Sequence, residues 1–153
     1  MLAWPAPITD VQSKAEALRR WRRGVIEVRS GRLVSISWRP TSKRVTRLGS
    51  WTVGRLVHRR KRGDVCRLYY YQPRSSPEFL VVSYAVSYRD ATLASMNESL
   101  RVLEQIAAVR GTYALVGDIS NERISDRLLA RWGWERHATQ LFGRNFIKRL
   151  REW

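Results

Sequence analysis

The chain has 153 residues, of which 29 are Lys or Arg and 13 are Asp or Glu, for a formal charge of +16; 44% are hydrophobic. That length predicts one domain rather than two cores, and the apolar fraction excludes a disordered tail. No apolar run reaches the roughly 20 residues of a membrane-spanning helix; the longest, Phe79 to Tyr88, is interrupted by Ser83 and Ser87. The opening Met-Leu-Ala-Trp-Pro-Ala-Pro lacks the basic start and long apolar stretch of a secretory signal. The single cysteine, Cys66, has no partner for an internal disulfide, so a cytoplasmic protein is expected. His58, His137 and Cys66 show no paired-ligand spacing, and no metal is expected.

The charge is uneven. Residues 1–77 hold 18 Lys/Arg against 4 Asp/Glu, a net of +14, whereas residues 78–153 hold 11 against 9, a net of +2. GC-rich coding explains 25 arginines beside 4 lysines, but not why acids are scarce only before residue 78. Such asymmetry points to an anionic partner contacted by the N-terminal half, with RNA or a ribonucleoprotein favoured over an acidic protein.

In chain order, Thr9 to Gln12 reads as a capping box, and Val11, Ala15, Leu18 and Trp21 mark one face of a helix. Arg19, Arg20, Arg22 and Arg23 crowd its last turn, where cations oppose the helix dipole, and Gly24 is its expected stop. The period then drops to two. Ile26 and Val28 alternate, Ser30-Gly31 turns, and Val34, Ile36 and Trp38 share a strand face. After a loop at 39–43, Trp51, Val53 and Val57 begin another strand. Arg59, Arg60, Lys61 and Arg62 form a hairpin tip, and Val65, Arg67, Tyr69 and Tyr71 alternate along the strand that follows. That basic tip suits phosphate contacts, or is simply a solvated turn. Tyr69, Tyr70 and Tyr71 suit stacking on one face and packing on the other.

From Phe79 to Val86 the apolar run predicts a strand covered on both faces. Leu93, Met96, Leu100, Leu103 and Ala107 give a helical stripe ended by Gly111, and Tyr113 to Ile119 is a second buried strand. Asn121 is placed to cap a last helix carrying Ile124, Leu128, Leu129 and Trp132 and closed by Gly133. Residues 134–150 return as one or two short strands. Strand, helix, strand, helix implies a parallel pair with a crossover. The expected fold is therefore a single α+β domain, with antiparallel strands in 1–77 followed by a β-α-β-α unit in 78–153.

Two stretches carry a family likeness. Val86-Ser87-Tyr88-Arg89-Asp90-Ala91-Thr92-Leu93-Ala94 leads directly into the amphipathic helix, and Asn121 opens a segment ending in Arg131-Trp132-Gly133-Trp134-Glu135. Over residues 78–150 the chain resembles the GNAT superfamily, which transfers acyl groups from acyl-CoA to amines. Its phosphate-loop signature is Arg/Gln-x-x-Gly-x-Gly/Ala. Arg89 and Ala94 fit that signature, and Thr92 stands where the first glycine belongs. The resemblance implies that Arg89, Asp90, Ala91, Thr92, Leu93, Ala94 and Asn121 hold acetyl-CoA or another acyl-CoA. Backbone amides at a helix start would cradle the pyrophosphate. It also implies that the strands ending at Val86 and Ile119 part beside this loop to admit the pantetheine arm. Thr92 then either donates a hydroxyl to phosphate or merely caps the helix.

Three departures weigh against catalysis. The first is Thr92 in the loop. The second is Leu129, at the position of the family's tyrosine acid. The third is a buried strand without a carboxylate, with Glu78 at its start and Asp118 at the end of the next strand. Tyr84 or Tyr88 is available as a substitute acid, or packs in the core. No catalytic residue is assigned. In the family two helices precede the antiparallel strands and wall the acceptor site, and there is no room for them between Trp38 and Trp51. Two readings follow: a non-catalytic or weakly active GNAT-like protein docking through its basic half on RNA or a ribonucleoprotein, and an active acetyl-CoA-dependent N-acyltransferase. A scaffold subunit, with Trp4 and Trp153 as anchors, is a third.

Overall fold

The computed structural model describes residues 4–39, 62–118, 124–136 and 145–150. The expected strand at Trp51–Val57, the basic positions Arg59, Arg60 and Lys61, the histidines, Asn121, Ile119 and Trp153 lie outside these residues, as do the side chains of Tyr84 and Asp118.

The described elements run α1 (Ala15–Arg20), β1 (Arg23–Arg29), β2 (Arg32–Trp38), β3 (Val65–Tyr71), β4 (Phe79–Ser87), α2 (Leu93–Arg110), β5 (Ala114–Asp118), α3 (Asp126–Arg131), β6 (Glu135–Arg136) and β7 (Asn145–Arg149). Strands from both halves of the chain join one seven-stranded sheet of order β2-β1-β3-β4-β5-β7-β6. Among the described strands only β4 and β5 pair in parallel; the rest are antiparallel. The protein is thus α+β with a mixed sheet, and no described helix is long and apolar enough to cross a membrane.

The β4–α2–β5 unit follows its sequence pattern closely. Thr92 caps α2, its hydroxyl accepting from Ser95 N at 3.1 Å, and Gly111 ends the helix in the left-handed conformation at φ 70°. Met96, Leu100, Leu103 and Ala107 are buried as the stripe predicts, but Leu93 at the first turn is 42% exposed. β4 is not covered on both faces throughout, because Ser83 and Ala85 are exposed. α3 starts later than expected: Ser125 is its cap, accepting from Leu128 N at 3.1 Å, so Asn121 does not open it.

The front of the chain corrects several expectations. Thr9 to Gln12 forms no capping box: α1 starts at Ala15 after Lys14, which makes no side-chain cap bond. Asp10 takes the amides of Gln12 and Ser13, at 3.2 Å each, in the turn before the helix. These bonds and the Ser13 hydroxyl hold its carboxyl below the usual carboxylate range. α1 ends at Arg20, so Arg22 and Arg23 do not belong to it; Arg23 opens β1. Gly24 is not a stop but a buried strand residue, where a Cβ would lie 2.7 Å from the Tyr70 hydroxyl. Ser30 (φ 51°) and Gly31 (φ 75°) make the tight turn between β1 and β2. The pairing slips after Glu27↔Ser35 to Val28↔Leu33, leaving Val34 as the extra residue. Val34 is therefore 38% exposed, while Leu33 packs on the core in its place.

One large core joins Ile26, Val28, Leu68 and Tyr70 of the sheet to Leu18 of α1, Leu103 and Ile106 of α2 and Leu129 of α3. Val65, Val86 and Tyr88 form a smaller cluster. Trp21 and Trp134 are buried, Trp38 and Trp132 pack against the core, and Trp4 is 67% exposed.

Candidate functional site

The loop singled out by sequence lies between the end of β4 and the first turn of α2. β5 is described only to Asp118, and its course beyond that point lies outside the described residues. β4 and β5 pair from Phe79↔Ala114 to Val82↔Gly117 and no further among the described residues, although β4 continues to Ser87. At the same place β4 bulges against β3: Tyr70 pairs with Val82 and Tyr69 with Tyr84, leaving Ser83 over. The Ser83 hydroxyl donates to Tyr69 O at 3.2 Å. Along its other edge β5 pairs with β7 throughout, from Ala114↔Arg149 to Asp118↔Asn145. Gly117 permits the last close approach, because a Cβ there would meet Val82 Cβ at 3.1 Å.

At the helix start, however, an anion is already present, and it belongs to the chain. The Asp64 carboxylate accepts from Thr92 N at 2.8 Å and from Thr92 Oγ1 at 3.0 and 3.1 Å. In return, Gly63 N donates to Asp90 Oδ2 at 3.1 Å. The approach to β3 and the loop before α2 are thereby clasped together, with two carboxylates where the family likeness puts pyrophosphate. Negative charge at a helix N-terminus is favourable whichever molecule supplies it. A phosphate approaching Thr92 must compete with a carboxylate that is tethered to the site and already bonded to its amide and its hydroxyl. Of the other loop residues, Arg89 and Ala94 are exposed and Ala91 is fully buried. Arg62, just before Gly63, is exposed.

Among the described groups considered for catalysis, Leu129, Tyr88 and Cys66 are packed in the interior. Leu129 is fully buried, as is expected of a core leucine. Tyr88 packs with Val65 and Val86, and its amide donates to Val65 O at 2.9 Å. Cys66 is buried with its Sγ 3.6 Å from the Ser99 hydroxyl. Burial pushes its thiol up, favouring the neutral form over the thiolate. No three described His, Cys, Asp or Glu residues gather as a metal site.

The basic residues divide differently from the sequence pattern. Arg19 and Arg20 both pair with Glu16, at 3.1 and 3.5 Å, on the surface of α1. Arg22 is exposed and stands where α1 gives way to β1; its carbonyl accepts from Gln72 N just beyond β3. Arg23 is opposite Tyr71. Arg39 lies with its guanidinium 5.7 Å from the Tyr69 ring centre, a cation–π approach. Of the three tyrosines, Tyr70 is buried while Tyr69 and Tyr71 are half-buried.

Two residues that the sequence did not single out tie distant parts of the chain together, Arg110 at this end and Glu27 toward the other. Arg110, the last residue of α2, donates to the carbonyls of Leu18 (2.7 Å), Arg19 (3.0 Å) and Trp21, and to Gln72 Oε1. It thereby caps the C-terminus of α1 from a separate helix. Burial lowers its pKa, and nearby Arg22 lowers it further, against a contribution from Tyr70. On the sheet, Glu27 takes a 2.6 Å bond from Arg67 and a 3.4 Å one from Arg29. Burial alone would raise its carboxyl, yet the two arginines more than reverse this and hold it below its ordinary value.

Compared with known proteins, the chain matches no protein-family model, no curated protein and no solved structure.

Proposed function

We propose that this is a GNAT-like protein that is non-catalytic or weakly active and docks through its basic N-terminal half on an anionic partner, RNA or a ribonucleoprotein. The observation that carries this reading is the Asp64 carboxylate on Thr92 N and Oγ1. It supports the loss of the pyrophosphate site by occupying the amide and the hydroxyl a phosphate would use. The leucine at position 129 and the packed Tyr88 support the loss of acid–base chemistry, worth roughly two to four powers of ten in rate. The +14 of residues 1–77 supports an anionic partner.

The test has two arms. Retention on heparin or RNA at low salt, falling steeply as salt rises, is expected because phosphate neutralisation releases counterions. Millimolar acetyl-CoA is expected to leave the melting temperature unchanged, since a ligand that binds the native state raises it by mass action. A chain that passes through heparin unretained ends the docking reading.

The second reading, an active acetyl-CoA-dependent N-acyltransferase, draws on the parallel β4–α2–β5 unit. It needs Asp64 to leave Thr92 when cofactor arrives. A saturable rise in melting temperature with acetyl-CoA would favour it.

A further inference from the structure

We infer that the end of the sheet where α1 meets β1 binds single-stranded nucleic acid, with Trp4 as a stacking platform for a base. This rests on the docking reading and specifies its partner and its surface.

Three independent observations place the site. First, Trp4 is the most exposed large hydrophobic side chain described, at 67%. Its ring is nonetheless held, edge-on to Trp38 at a centroid distance of 5.5 Å and an angle of 64°. A half-immobilised indole with an open face loses little freedom on stacking, whereas a surface tryptophan without a ligand only exposes apolar area to water. Second, the pairing brings cations to the same end. Trp38 is opposite Gly24; Arg22 lies just before β1, and Arg39 just after β2 with its guanidinium over Tyr69 on the other face of the sheet. Gln72, bonded to the Arg22 carbonyl, brings Arg74 close behind. Arg22, Arg39 and Arg74 are exposed, and no described carboxylate pairs with any of them. Third, the opposite end of the sheet is unsuited to the same ligand, because Asp64 and Asp90 occupy the start of α2.

Single strands fit this arrangement better than duplexes. An isolated aromatic face is useful only to an unstacked base, and bases inside a duplex are already stacked on one another. Guanidinium groups at this end of the sheet then track the phosphates without reading sequence.

The experiment compares the intact protein and its Trp4→Ala variant in binding a fluorescein-labelled oligouridylate of about 20 nucleotides, a duplex RNA of the same length, and heparin. Charge density alone favours the duplex, so tighter binding of the single strand is diagnostic. The expected result is a preference for the single strand, reduced about tenfold by Trp4→Ala, with the salt needed to elute from heparin unchanged. Duplex binding as tight as single-strand binding, or less than a twofold effect of Trp4→Ala, overturns the inference and leaves docking on a polyanion standing. Retention on heparin without binding to either RNA does the same and points to an acidic protein partner. Failure to bind all three overturns the docking reading together with the inference.

Discussion

The two ends of α2 handle charge in opposite ways. At its N-terminus the chain supplies its own anions, with Asp64 on Thr92 and Asp90 on Gly63. At its C-terminus Arg110 supplies the cation, bonded to three carbonyls around the end of α1. The first follows from the dipole of an 18-residue helix and the second from the open carbonyls at the end of α1. Their consequences for a ligand differ. The first end is neutralised internally and gives an incoming phosphate little to gain. The second is satisfied at its backbone, and beside Arg110 stands the exposed Arg22, with which no described carboxylate pairs. An anion-binding surface is therefore located by where carboxylates are missing as much as by where arginines are dense.

Removing Arg110 is the largest test of this contrast. Arg110→Ala strands the Leu18, Arg19 and Trp21 carbonyls and the Gln72 side chain, and about 2–4 kcal/mol of stability should go with it, read as a lower urea midpoint. An unchanged midpoint would mean that water replaces the guanidinium and that α1 needs no clamp. Next in size is the triple replacement of Arg22, Arg39 and Arg74 by Gln. Losing three phosphate contacts should weaken single-strand binding at 0.1 M salt roughly a hundredfold and flatten the salt dependence by about two units of slope. Equal binding would shift the partner surface elsewhere.

Asp64→Ala removes the internal anion, costing about 1 kcal/mol of capping and dipole stabilisation. It should also create a thermal response to millimolar acetyl-CoA that the unaltered chain lacks. If Asp64→Ala stays as silent as the parent, the carboxylate is not what excludes phosphate there. The smallest effect belongs to Glu27, whose depressed carboxyl stabilises the fold above its ordinary value of about 4.5. That contribution should disappear as pH falls through the lower folded-state value. Glu27→Gln should lower stability at pH 7 by about 1 kcal/mol and flatten the acid limb of a stability–pH curve.

Much of the second half was legible because its signals are local. Thr92 caps and Gly111 stops α2 by rules spanning a few residues, and the apolar runs of β4 and β5 sit on either side. The front half was less legible because its decisive partners are distant. Gly24 looked like a helix stop until Tyr70, 46 positions later in the sequence, packed against it. Val34 fitted the buried face by alternation, but a one-residue bulge between β1 and β2 reverses parity, and no composition rule marks it. The candidate loop was found by its resemblance, yet its occupant was not. Asp64 and Thr92 are 28 residues apart, and nothing in either neighbourhood announces the other. Arg110 was hidden for the same reason, reading as an ordinary basic residue in a last helical turn.

The reach of Arg110 bears on the order in which the molecule can assemble. α1 has six residues, too few to persist alone in water, and its last carbonyls are held by a guanidinium 89 to 92 positions further on. During synthesis, then, the first 77 residues emerge as a +14 segment whose leading helix waits for the end of α2. A fragment ending there would keep nearly all the charge and lose the clamp. It should bind polyanions indiscriminately, as an unfolded basic peptide does, so charge retained without selectivity would be the mark of a chain cut before Arg110.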